Sequence, residues 1–394
     1  MFYREKLCNK TVEQKVIRRG YNMNENKASI GTIVSFAGAY VATVIGSGFA
    51  TGQEIMQFFT YYGYGGVTAG IISMIVFMWI GSLLMTKGKE LQLKDDNKIY
   101  HVFCGKVLGT FFEWFGPAFL FGVFVVMISG AGATLTEYYG LHPMVGRVGM
   151  ALVSFITVSL GLDKLSKILG GIGPIIIVFT ILVGAISLYR NFGNLAASAE
   201  LVKSLNVAKP TPNEYLSGII YASYNVIIVM AFLTGLGATA KSKKEGMWGG
   251  ILGAVALMSA AIVMHLAILS DVGNLYTKAI PALFLADKIS PVVGIAFSVI
   301  LILGIYTTAS PLLWSVANRV VPQESPKFKI TVLIVTILGL AGGFLPFDKL
   351  VGILYPYTGY MGVLILVCAL VRQITGKWGD VSQYQKTKSQ MKSK

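Results

Sequence analysis

The run Ala42-Thr43-Val44-Ile45-Gly46-Ser47-Gly48-Phe49-Ala50-Thr51-Gly52-Gln53-Glu54 sets three glycines within seven apolar-leaning residues and ends on a carboxylate. Each glycine costs about 1 kcal/mol of helix propensity relative to alanine, so a helix is primed to open here. An opened helix offers carbonyls at the end of one half, which suit a cation. It offers N–H groups at the start of the other, which suit an anion. Small residues also serve close helix–helix contact, but the polar flank and Glu54 favour the break. The spacing is wrong for a dinucleotide-binding glycine loop, and no strand or downstream ribose-binding acid accompanies it.

A second segment has a similar look: Ser217-Gly218-Ile219-Ile220-Tyr221-Ala222-Ser223-Tyr224-Asn225, followed by an apolar stretch ending Thr234-Gly235-Leu236-Gly237. An asparagine inside such a run marks a helix contact or a binding site. Gly46, Ser47, Gly48, Phe49, Tyr221, Tyr224 and Asn225 are the candidate substrate contacts. A third segment, Gly304-Ile305-Tyr306-Thr307-Thr308-Ala309-Ser310-Pro311, carries paired hydroxyls. They either cap carbonyls of their own helix or supply hard oxygen ligands to a cation; spacing does not decide.

Glu54 has three readings: a proton site, a substrate contact, or a hydrogen bond between helices. Glu113 is expected at the interface. His265 is expected in packing, since no His, Cys or acid is spaced to share a metal with it. Tyr355, Tyr357 and Tyr360 are expected at the interface, with a role at an outer gate. No nucleophile elbow, phosphate loop or zinc motif appears, so neither an enzyme nor a cofactor is expected.

These segments sit in a chain of 394 residues, 54% hydrophobic and 13% charged, with mean hydropathy +0.67. Soluble domains carry roughly 25% charged residues, so this chain lacks the charge to cover a water-facing surface. Apolar stretches of bilayer-spanning length are expected near residues 30–62, 65–86, 109–135, 144–162, 168–189, 215–237, 246–270, 291–318, 328–345 and 350–372. The chain is thus expected to be an all-α membrane protein of ten transmembrane helices. Of 33 Lys and Arg, 26 fall in alternate connectors and termini and 7 on the other side. That bias places both termini in the cytoplasm. It also explains the net charge of +15 without nucleic-acid binding. The expected organisation is a basic N-terminal segment 1–29, a ten-span domain 30–372 and a basic tail 373–394. Its repeats are about 30–189 and 215–372. With five spans per half, the second half inserts upside down, and interrupted first and sixth helices mark an inverted-repeat transporter. Cys8, Cys104 and Cys368 show no paired or metal-type spacing and are expected as free thiols.

Gly46-Ser47-Gly48 in an interrupted first span resembles the Gly-Ser-Gly of the amino acid–polyamine–organocation superfamily, built on the LeuT-type five-plus-five inverted repeat. The longer string Gly-Ser-Gly-Phe-Ala-Thr-Gly-Gln-Glu-Ile-Met-Gln-Phe-Phe is similar to the bacterial YkvI-type membrane proteins within it. The resemblance covers the ten-span core. It implies a sodium ion between two first-span carbonyls, matched here by Ala42 and Ile45, and eighth-span ligands matched by Gly304, Thr307 and Thr308. Tyr224-Asn225 departs from the amino-acid-binding pattern of the sixth span. The expectation is a sodium-coupled symporter of a small organic solute, such as an amino acid, amine or betaine. It would lie in the bilayer of the cell membrane and bind no nucleic acid. Alternatives are a proton-coupled or uncoupled carrier using Glu54, and a non-transporting sensor or scaffold.

Overall fold

The fifteen-residue run Ile30–Val44 is apolar and helix-forming until its glycines begin, and there the helix stops. The computed structural model describes residues 28–160 and 166–380. Most of the basic N-terminal segment, the end of the basic tail, Cys8 and most of the 163–167 connector lie outside the described residues. The helices run in chain order as α1 (Ile30–Val44), α2 (Ser47–Thr51), α3 (Gln53–Phe58), α4 (Gly65–Leu91), α5 (Ile99–Tyr139), α6 (Pro143–Leu160), α7 (Ser166–Asn191) and α8 (Leu195–Ser204). They continue as α9 (Glu214–Ala238), α10 (Lys243–Leu269), α11 (Val272–Leu275), α12 (Pro281–Ile289), α13 (Pro291–Val320), α14 (Phe328–Gly342) and α15 (Phe347–Thr375).

Among the described residues eight helical stretches are long and apolar enough to cross a membrane, and α1 and α14 are shorter apolar helices. These two stand in the places of the first and ninth expected spans. The molecule is a multi-pass membrane protein. Its helices form two packing groups. In one, α4 lies against α9 and α10, and α10 lies against α1. In the other, α5, α6, α13 and α14 pack mutually. Lipid tails are as apolar as leucine, so close backbone approach and hydrogen bonds hold such helices together. Gly218 faces the Ala69 carbonyl and Gly237 the Met85 carbonyl so closely that a Cβ at either would overlap backbone. Ser73 donates to the Gly218 carbonyl across the same contact at 2.7 Å.

This contact corrects one expectation. The sixth crossing, α9, is a continuous helix from Glu214 to Ala238, not an interrupted one. Its small residues are occupied in packing against α4, and helical hydrogen bonding survives throughout.

Connectors are tied by carboxylates. Buried Glu245 completes a capping box with Ser242 at the start of α10 and accepts from the Ser29 N–H at 2.9 Å. Glu137 at the end of α5 accepts from the N–H groups of Ala279 and Ile280, at 2.7 and 2.8 Å, and so holds the lead-in to α12. Residues 281–286 of α12 are mostly buried. Cys104 and Cys368 are free thiols.

Candidate functional site

The first crossing breaks between Val44 and Ser47. The Gly46 N–H turns to the Val44 carbonyl at 2.8 Å, which releases the Ala42 carbonyl from the donor it would meet four residues on in a continuing helix. Ile45 lies outside both helical segments. A second discontinuity follows at Gly52, whose φ of 80° is left-handed and excludes most side chains. Its Cα faces the Ala282 N–H side of α12, where an added Cβ would stand 3.1 Å from that nitrogen. The glycines therefore open the chain at 45–46 and redirect it at 52.

The redirection turns Glu54 back towards the break. Glu54 is buried, and its carboxylate lies over Gly48, where any Cβ would collide with it. The Tyr224 hydroxyl of α9 donates to Glu54 Oε2 at 2.7 Å. Two bonds fix this geometry from behind: Ser217 donates to the Phe58 carbonyl at 2.6 Å, and Gln57 donates to the Asp348 carbonyl at 2.9 Å. The break in the first crossing, the carboxylate and the sixth crossing therefore meet at one place.

Aromatic rings wall this place. Tyr224 stacks on Tyr355 of α15 with centroids 4.8 Å apart and planes 13° apart. Phe58 lies 5.7 Å from Tyr224 and 5.5 Å from Tyr221, and Tyr221 lies 5.5 Å from Tyr224. Tyr355 is 2% exposed, which corrects its assignment to the interface; Tyr357 and Tyr360 are exposed, as expected. Tyr355 is buried because its face of α15 packs on α9: Gly359 and Gly362 on that face approach the Ile220 and Ser223 carbonyls.

Of the sequence candidates, Gly48, Glu54, Tyr221 and Tyr224 come together. Phe49 is fully buried, and Gly46 is half-buried with open space beside it. Ser47 opens α2. Asn225 does not join the carboxylate; its side-chain amide donates to the Tyr221 carbonyl of its own helix at 2.9 Å. His265 faces Thr60 at 3.1 Å. The eighth-crossing hydroxyls of Thr307 and Thr308 both donate to the Gly304 carbonyl of their own helix, at 2.9 and 3.0 Å, which is the capping alternative. Sequence reasoning missed Phe58 and misplaced Tyr355. A signal existed for Tyr355: Val351, Tyr355, Gly359 and Gly362 follow helical spacing, so the tyrosine shares a face with glycines that invite a neighbour.

Glu113, expected at an interface, is the hub of an ion-pair cluster. Lys98 lies at 2.7 Å, His101 at 3.0 Å and Arg319 at 3.2 Å. Arg319 also stacks over Trp114 at 4.5 Å. A cavity of about 390 Å³ opens beside this cluster, lined by Tyr100, Pro117, Ile227, Trp314 and Arg319 among others.

No family model matches the sequence. The chain is 25% identical to the Bacillus subtilis (strain 168) membrane protein YkvI over 349 residues, covering 88% of this chain and 97% of that one. It is also 25% identical to YyaD of the same organism over 341 residues, covering 86% and 96%. Among solved structures it resembles MhsT in complex with L-phenylalanine, with TM-score 0.58 and 17% identity over 92% of this chain and 94% of that one. Inward-facing Mhp1 gives 0.54 and 14% over 89% and 79%. The Eremococcus coleocola manganese transporter gives 0.53 and 14% over 91% and 82%. The chain thus has the LeuT-type fold and is similar over most of its length to the membrane protein YkvI and to YyaD.

Proposed function

We propose that this protein is a secondary active transporter that moves a small organic solute across the cell membrane by alternating access, with sodium as the coupling ion. The observation that carries the reading is the broken first crossing with the buried Glu54 carboxylate folded over Gly48 and held from α9 by Tyr224. Non-helical backbone at membrane depth persists where it lines a cavity or binds something. The transporters named above share the fold and support a carrier over an enzyme. The released Ala42 carbonyl supports a cation at the break, and Gly304, Thr307 and Thr308 would add oxygens from one turn of α13 if their capping bonds opened. With the Ile45 carbonyl they make five neutral oxygens, a set that suits a monovalent ion better than a divalent one, which recruits carboxylates.

Uptake into reconstituted vesicles should rise with an inward sodium gradient and lose that dependence in Thr308→Val. By linkage, sodium should raise solute affinity by the same factor as solute raises sodium affinity. Burial of Glu54 favours a second reading, coupling to protons. Uptake driven equally well by a proton gradient in sodium-free buffer, and lost in Glu54→Gln, would replace sodium with that reading. Both termini are read as cytoplasmic; a cysteine at position 205 should label from outside and one at 242 from inside, and the reverse pattern overturns the orientation.

A further inference from the structure

We propose that the solute recognised at the break is an organic monocation carrying an ammonium head, held between the Glu54 carboxylate and the rings of Phe58, Tyr221, Tyr224 and Tyr355. This rests on the transporter reading and deepens it.

Three observations converge. First, Glu54 is buried among helices, and among the described residues no lysine, arginine or histidine pairs with it. Its hydrogen-bond partner is the Tyr224 phenol. A carboxylate at membrane depth is costly unless it is paired or protonated, so in its ionised form the site calls for one positive charge. Second, aromatic rings gather around the phenol that holds it. Tyr224 stacks on Tyr355, and Phe58 and Tyr221 lie within 5.7 Å of Tyr224 by centroid. A cation within about 6 Å of an aromatic face is attracted by the ring quadrupole. Third, the carboxylate fills the space that a side chain at position 48 would take, which sets it against the opened backbone of the first crossing. An anion would meet Glu54 repulsion with no basic side chain in compensation, and a neutral solute would leave the charge unpaired.

The test is equilibrium binding to purified full-length protein in lipid nanodiscs. Each of methylammonium, butylammonium, tetramethylammonium and choline is compared with a neutral isostere, 3,3-dimethylbutan-1-ol being that of choline; L-phenylalanine serves as the zwitterion. At least one ammonium ion should bind tenfold or more tightly than its isostere. Glu54→Gln should erase that preference and Glu54→Asp should keep part of it. Tyr355→Leu should weaken cation binding about 3- to 30-fold, the range of a desolvated cation–π contact, and Tyr224→Phe should preserve the preference. Equal affinity for cation and isostere, retention in Glu54→Gln, or binding of the zwitterion with none of the ammonium ions would each overturn the inference. If Glu54→Gln fails to fold, the wild-type cation-against-isostere comparison decides. Binding without flux in vesicles would sink the transporter reading alone; flux of a zwitterion without ammonium binding would sink this inference alone.

Discussion

The first and sixth crossings are both apolar, glycine-rich and studded with hydroxyls, yet one is broken twice and the other not at all. The difference lies in what each glycine faces. In α9, Gly218 and Gly237 meet the backbone of α4; they are small because a neighbouring helix is there. In the first crossing, Gly48 meets the end of a carboxylate side chain, and Gly46 meets nothing within 4 Å. A glycine against backbone reports packing. A glycine against open space or a side chain that can turn away reports a place where something else binds.

The largest expected effect tests this most directly. Gly48→Leu should abolish solute binding while membrane insertion and expression remain near wild type, because the added atoms displace the Glu54 carboxylate and not a helix. Wild-type affinity in that variant would break the contrast. Gly237→Ala comes next and should behave oppositely. Its Cβ overlaps the Met85 carbonyl, and overpacking of this kind costs about 1–3 kcal/mol. Thermal unfolding should fall while solute affinity in the folded fraction holds. Thr308→Val removes one oxygen and nearly keeps shape, so it should reduce sodium stimulation several-fold with little change in unfolding temperature. A stability loss instead would assign Thr308 to capping its own helix. The smallest effects are expected from Asn225→Ala and Gly46→Ala, each within about 0.5–1 kcal/mol of wild type. The first loses a bond to its own helix, and the second adds a methyl to open space. Loss of solute binding in Asn225→Ala would return that residue to the site.

The break was legible because its cause is local. Three glycines lower helix propensity wherever they stand, and Glu54 is the one charged residue in its run. The fold class was legible for the same kind of reason, since apolar length is a property of each segment alone. The unbroken α9 was not, because Gly218 and Gly237 look the same in sequence whether they open a helix or admit Met85 and Ala69. Tyr355 was misplaced because it sits near Tyr357 and Tyr360, which face outward; only the three-dimensional pairing of α15 with α9 separates one tyrosine from the others. Phe58 became a wall of the site through the turn at Gly52, a change of direction that no spacing rule contains.

The Glu245 bond to Ser29 has a mechanical consequence. At 1.5 Å per residue, α1 is a rod of roughly 22 Å, jointed at Ile45–Gly46 and latched at its far end by one charge-assisted hydrogen bond of 2.9 Å. A swing of only about 10° about the joint would carry the latched end roughly 4 Å, enough to part it. Such a bond is worth about 1.5–3 kcal/mol, or a factor of roughly 10 to 100 in the ratio of latched to swung forms. The bond thus adds, at a point well away from the solute, to the packing of α1 on α10 that holds the lever shut. Weakening it in Glu245→Gln should speed labelling of a cysteine at position 33, a rate that reads the motion of the rod without asking anything of the site at its other end.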